Sequence, residues 1–304
     1  MNRQALKADS LLLLAAMIWG FAFVAQRIGM DFVGPFLFNG VRFVLGALVL
    51  LPFILRPGRA SHAENEIKNT GGGRLLFPGG LLAGLLVFGG ASFQQVGLVY
   101  TTAGKAGFIT GLYVVIVPML GLFFRQRSGA GTWIGAVLAA VGLYFLSVTG
   151  RFTIDFGDLL VLCGACIWAC HVLVIGWLSP RVDALKLACT QYLVCAACSL
   201  ITAVCVETIS IDALWQAAWP IFYGGALSVG IAYTLQVLAQ KKAPPAHAAI
   251  LLSLEAVFAA LGGWIVLDEM LPLRGLAGCA LMLCGMLASQ LWGNLRRKPK
   301  LMKR

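Results

Sequence analysis

Apolar residues fall along this chain in blocks of about twenty, each closed by a short polar or charged break. Ten such blocks can be traced: 9–29, 34–55, 75–99, 102–124, 130–149, 157–178, 184–206, 215–239, 245–267 and 272–293. About 20 apolar residues wound as a helix cross the ~30 Å hydrocarbon core of a bilayer, so each block predicts a transmembrane helix. Only 56–74, which ends in NTGGGR, reads as a long hydrophilic connection. The first block follows MNRQALK, the basic-then-apolar order of a cleaved signal. Its length, and a partner segment later in the chain, make it a transmembrane helix instead.

Composition agrees with the pattern. The 304 residues are 60% hydrophobic and 12% charged, with mean hydropathy +0.89, whereas soluble domains are about a quarter charged. The net charge of +11 raises the question of nucleic acid, and its distribution answers it. With ten helices and the N-terminus inside, 18 of the 23 Lys and Arg residues fall in cytoplasmic segments. Arg27, Lys105, Arg151 and Arg274 fall on the other side, and Arg42 lies within a helix. This is the positive-inside bias. It predicts a multi-pass protein of the cell (inner) membrane with both termini cytoplasmic. The basic tail RRKPKLMKR suits anionic lipid headgroups or simply enforces topology, and no nucleic-acid partner is expected.

The chain also repeats itself. At an offset of 149, DSLLLLAAMIW (9–19) lies over DLLVLCGACIW (158–168), superposing Asp9 on Asp158 and Trp19 on Trp168. The same offset puts Arg42 over Gln191. Later in each half the offset is 142, pairing Gln94 with Gln236, Lys105 with His247 and Tyr113 with Glu255; one residue more pairs Gly135 with Gly278 and Gly142 with Gly285. The predicted repeats are 1–150 and 151–304, five helices each. An odd number makes the second copy enter the membrane from the opposite side. The flanks agree, since FFRQRS (123–128) is basic and its counterpart VLDEML (266–271) acidic. The expected fold is therefore all-α and polytopic, ten transmembrane helices as two inverted five-helix repeats around a central cavity. That is a common plan of alternating-access carriers, with substrate held between the halves.

The stretches AAMIWGFAFVAQRIG, VRFVLGALVLLP, TTAGKAGFITGLYVVIVPMLG and HAAILLSLEAVFAALGGWIVLDE resemble the EamA family of the drug/metabolite transporter superfamily over essentially the whole chain. The resemblance implies ten helices, cytoplasmic termini, a central cavity and export or exchange of amino acids and other small metabolites. One position departs from it: that family commonly has proline after the glutamate of its ninth helix, and here Ala256 follows Glu255, while the first half keeps Pro118. A proline kink in the ninth helix therefore does not carry over.

Glu255 is the sharpest candidate, a carboxylate near the middle of an apolar run, where an ionised group is costly. It suits a substrate amine or a carboxylate that exchanges a proton; the alternative is a tie between helices. Trp19 and Trp168 lie near mid-helix at matching positions, as cavity walls or core packing, rather than at the headgroup level where tryptophan usually anchors. Arg42 is the only arginine or lysine well inside a helix, so it binds a substrate carboxylate or ties to helix-end carbonyls or to Glu255. Gln94 and Gln236 offer neutral polar contacts or interhelical hydrogen bonds, and Tyr113 is the partner of Glu255. Lys105, His247 and His171 are candidates for gating or coupling. The GxxxG spacings at 80/84, 107/111 and 131/135 serve helix packing within one subunit, and a monomer is expected.

Other chemistry is poorly supplied. Cys163, Cys166 and Cys170 share a helix face but lack ligands from a second element, so no metal is expected. There is no HExxH, no aspartate cluster of a prenyl transferase and no phosphate loop, so neither catalysis nor a cofactor is expected. A channel would more often be a symmetric oligomer. The reading is a secondary carrier of small organic metabolites, foremost aromatic or apolar amino acids, exported or exchanged; the alternative is efflux of nucleosides, amines or organic cations.

Overall fold

The computed structural model describes residues 3–56, 72–124, 129–147, 155–270 and 273–295. The hydrophilic connection 57–71, most of FFRQRS and the tail 296–304 lie outside the described residues. The rest is a helical bundle without a strand among the described residues. In chain order the helices are α1 (Arg3–Gly29), α2 (Pro35–Ile54), α3 (Gly72–Gly97), α4 (Ala103–Gly111), α5 (Tyr113–Phe123), α6 (Ala130–Ser147), α7 (Phe156–Leu178) and α8 (Ala184–Val206). Then come α9 (Ile211–Gln216), α10 (Ala218–Phe222), a π-helical segment (Tyr223–Tyr233), α11 (Thr234–Gln240), α12 (Pro245–Leu252), α13 (Glu255–Val266) and α14 (Leu273–Leu295). Among the described residues eight spans are long and apolar enough to cross a membrane, with α4–α5, α10–α11 and α12–α13 each counted as one; two shorter apolar helices, at Ala130–Phe145 and Leu273–Ser289, accompany them.

Polar residues at the breaks start the helices. Thr102 Oγ1 accepts from Lys105 N at the head of α4, and Asp183 Oδ1 accepts from Leu185 N and Lys186 N at the head of α8. Pro35 and Pro245 occupy first-turn positions, where a missing N–H costs nothing. Large apolar side chains such as Leu82, Val137, Leu193, Ile201 and Val204 point outward and are exposed. In water such a surface would be untenable; facing acyl chains it is the ordinary exterior of a multi-pass membrane protein.

Small residues set the packing inside. The most extensive interface joins α6 to α14. A Cβ added at Gly135 would come within 2.7 Å of the Gly285 carbonyl, and one at Gly142 within 2.6 Å of the Gly278 carbonyl. The two backbones touch there, as only glycine allows. Gly80 and Gly84 meet Thr190 and Val194 of α8, and Gly107 meets Ala259 of α13, so these spacings are used within the chain. Interfaces also come in matched pairs: α1 packs on α13 and α7 on α5; α3 packs on α8 and α2 on the π-helical segment.

Three predicted rods are interrupted. The 102–124 block breaks at Leu112, whose N–H bonds Ile109 O at 3.2 Å in an i→i−3 turn. The 245–267 block breaks at Ser253–Leu254, although no proline follows Glu255. Ser253 Oγ bonds Ile250 O at 2.9 Å and Leu254 N bonds Leu251 O at 3.2 Å, so a serine turned back on its own helix supplies the bend expected to be missing. Tyr113 and Glu255 are thus each the first residue of a second half-helix. The 215–239 block is not one α-helix either, since its middle winds as π-helix.

Candidate substrate cavity

The interruptions converge on a partly open cavity, whose empty space, counted together with its open side, is about 470 Å³. Its walls come from α1 to α5, α7, the π-helical segment and α11 to α13. Trp19, Arg42, Gln94, Tyr113, Trp168, Gln236 and Glu255, seven residues scattered over the sequence, all line it, and so does His171. Lys105 and His247 do not; they stand at the heads of α4 and α12, away from the lining.

Tyr233, not singled out from the sequence, is the centre of the aromatic wall. Its ring lies 4.6 Å from that of Trp19, 5.8 Å from Trp168, 6.0 Å from Phe43 and 6.2 Å from Tyr192, mostly edge-on or tilted. Both indoles are held by their N–H groups. Trp19 Nε1 donates to Ser228 O at 3.2 Å, a carbonyl of the π-helical segment. Trp168 Nε1 donates to Gln94 Oε1 at 3.0 Å, and Gln94 Nε2 in turn donates to Gln26 Oε1 at 3.1 Å. Gln94 therefore spends its amide on the wall. Gln26 was legible as a polar residue inside the first block; Tyr233 carried no signal beyond being one more aromatic in an apolar run.

Arg42 is only 2% exposed. Its Nε donates to Asn39 Oδ1 at 3.0 Å, while Asn39 Nδ2 donates to Ala91 O at 3.2 Å. The guanidinium carbon lies 5.5 Å and 5.2 Å from the Phe38 and Phe43 ring centroids. Among the described residues no carboxylate pairs with it, so the expected tie to Glu255 is absent. Its other anchors are rings and an amide, because Asn39 is the only polar side chain one turn back on α2.

Glu255 is 4% exposed and, among the described residues, forms no ion pair. Its Oε1, the Tyr113 hydroxyl, the Gln236 Oε1 and the Thr110 hydroxyl are all buried, and among the described residues none makes a well-formed hydrogen bond, although the Tyr113 hydroxyl stands beside the Glu255 carboxylate. Buried polar atoms are nearly always bonded, so this cluster is a set of open valences around one space. His171 is spoken for on one side, with Nε2 3.0 Å from Gln191 Oε1, and open at Nδ1. Gln191, which the sequence offset pairs with Arg42, is not part of the lining and bonds a histidine that is.

A helical bundle with spans long enough to cross a membrane, built around a polar, aromatic-walled cavity, has the form of a transporter. Its family is known. Residues 6–148 and again 155–289 match the EamA-like transporter family, and the chain belongs to it. It is 34% identical over 274 residues to an uncharacterized transporter of Archaeoglobus fulgidus, covering 88% of this chain and 80% of that one. It is 30% identical over 276 residues to the threonine/homoserine exporter RhtA of Salmonella typhimurium, covering 86% and 83%. A solved crystal structure superposes with a TM-score of 0.77 at 18% identity, covering 96% of this chain and 99% of that one, which speaks for the fold.

Proposed function

We propose that this protein is a secondary carrier for amino acids, working by alternating access as an exporter or exchanger. One observation carries the reading: Arg42 and Glu255, both buried, share one cavity without pairing to each other or to another charge among the described residues. An unmatched buried charge is expensive in lipid as in any protein interior. A zwitterion relieves both at once, its carboxylate taken by the guanidinium and its ammonium by Glu255 with the Tyr113 hydroxyl. The Trp19, Tyr233 and Trp168 rings then receive an apolar or aromatic side chain. The likeness to a threonine/homoserine exporter supports the amino-acid class.

In this reading the chain has ten transmembrane helices as two inverted repeats, 1–150 and 151–304, with both termini cytoplasmic in the inner membrane. Support comes from the two successive family matches, from the paired interfaces, and from Gly135 meeting Gly285 while Gly142 meets Gly278, which mirrors the sequence pairing about an axis. Purified protein in proteoliposomes, preloaded with one unlabelled compound at a time, tests it. Amino acids are expected to accelerate uptake of their labelled form by counterflow. Acceleration only by amines or nucleosides would assign the cavity to those substrates, and uptake without acceleration would point to a channel.

A further inference from the structure

Two of the residues that fall outside the cavity meet partners with the same sequence relationship. Lys105 Nζ reaches Asp158 Oδ2 and lies 3.3 Å from Asp155 Oδ2. His247 Nε2 lies 2.9 Å from Asp9 Oδ1, with Ser289 Oγ 3.0 Å from the other ring nitrogen. Lys105 and His247 are 142 residues apart, Asp9 and Asp158 are 149 apart, and these are the two offsets of the repeat. The pairs are therefore counterparts, each joining one half of the chain to the other.

They sit at opposite ends of the molecule. Asp9 lies near the start of α1. At the far end of α1, the Gln26 carbonyl accepts from Gln95 Nε2, and two residues beyond Gln95 a Cβ on Gly97 would meet the Gly157 carbonyl, beside Asp158. Seventeen residues of helix separate Asp9 from Gln26, about 25 Å. The end bearing Lys105 has further cross-ties: Thr101 Oγ1 donates to Asp158 Oδ1 at 2.9 Å, and Glu269 accepts from Ala103 N and Gly104 N, both at 3.2 Å.

Each pair is also wired to the cavity. Lys105 is on α4 and His247 on α12, the short half-helices that end at Leu112 and Ser253, directly before Tyr113 and Glu255. Each half-helix, eight or nine residues long, carries one of these pairs near one tip and meets the cavity at the other, about 12 Å away along the helix.

We infer that Lys105 with Asp158, and His247 with Asp9, are the two latches of the cavity, each closing one end and each released when that end opens. This rests on the alternating-access reading but not on the substrate assigned to it. Asp9 thereby gains a function that neither the cavity nor a helix start explains, and Asp158 gains one beyond its part in the cap of α7, where it accepts from Asp155 N at 3.0 Å.

Hydrogen exchange of the full chain in lipid nanodiscs, read by mass spectrometry without substrate, tests this. Lys105→Gln leaves the cap of α7 intact and is expected to speed exchange about fivefold at the heads of α4 and α7 alone; Asp158→Asn is expected to act at the same place. Asp9→Asn and His247→Gln are expected to do so at the heads of α1 and α12 alone. Unchanged exchange, exchange raised throughout the bundle, or both sets acting at one end would overturn the inference. Because no transport is measured, failure of the amino-acid screen leaves this result standing on its own.

Discussion

Trp168 and Gln94, 74 residues apart and on different predicted halves, are joined by an indole N–H to amide oxygen bond of 3.0 Å. The same amide reaches on to Gln26, so one glutamine on α3 fixes the wall of α7 against α1. Removing it leaves a buried indole N–H without an acceptor, a loss of about 1–3 kcal/mol. Gln94→Leu is expected to raise KM in counterflow by roughly tenfold with the maximal rate little changed, because the ring that shapes the site is no longer held.

Glu255→Gln keeps the shape of the side chain and removes its charge. The variant is expected to insert normally and to lose roughly ten- to a hundredfold in kcat/KM for amino acids, the worth of one charge-assisted hydrogen bond. An N-acylated amino acid, lacking the ammonium, is expected to be a poor substrate for both forms. Counterflow with the two compounds checks this, and undiminished transport by the variant would leave Glu255 as a helix tie.

Arg42→Lys separates charge from geometry. A lysine keeps the positive charge but loses the planar fork, the Nε bond to Asn39 and the stacking over Phe38 and Phe43. Weaker binding of amino acids by about tenfold is expected, with simple amines unaffected. Asn39→Ala should give the same shift at smaller size, since it frees the guanidinium without replacing it.

Gly142→Val addresses the frame rather than the site. The new side chain meets the Gly278 carbonyl at 2.6 Å, and backbone cannot step aside as a side chain does. A loss of about 1–3 kcal/mol is expected, seen as a lower melting temperature in detergent, and Gly135→Val is expected to match it.

Much of this was legible beforehand because lipid imposes a simple rule. Apolar length gave the helices, and polar residues inside those lengths, Arg42, Gln94, Gln236 and Glu255, had to be either paired or at a cavity. The internal offsets carried further still, pairing Lys105 with His247 and Asp9 with Asp158, the same four residues that meet as Lys105–Asp158 and His247–Asp9. The breaks at Leu112 and Ser253 were not legible, since a two-residue tightening leaves the apolar period intact. Proline was the wrong signal to follow: Pro118 lies within α5, beyond the break, while Ser253 bends its helix through a single hydroxyl. Tyr233 and the π-helical winding that presents Ser228 were likewise invisible, because both depend on which helices become neighbours.

The glycine seam between α6 and α14 has a mechanical meaning. Where carbonyl oxygen already rests against opposing α-carbon there is no slack to give up and no side chain to repack, so sliding or parting would open a void that lipid tails cannot fill. Among the described residues neither helix contributes to the cavity wall. Under the proposed alternating access the pair is the chassis of the molecule, a rigid spine against which the half-helices swing, so that a small displacement beside a bound substrate carries to the far ends.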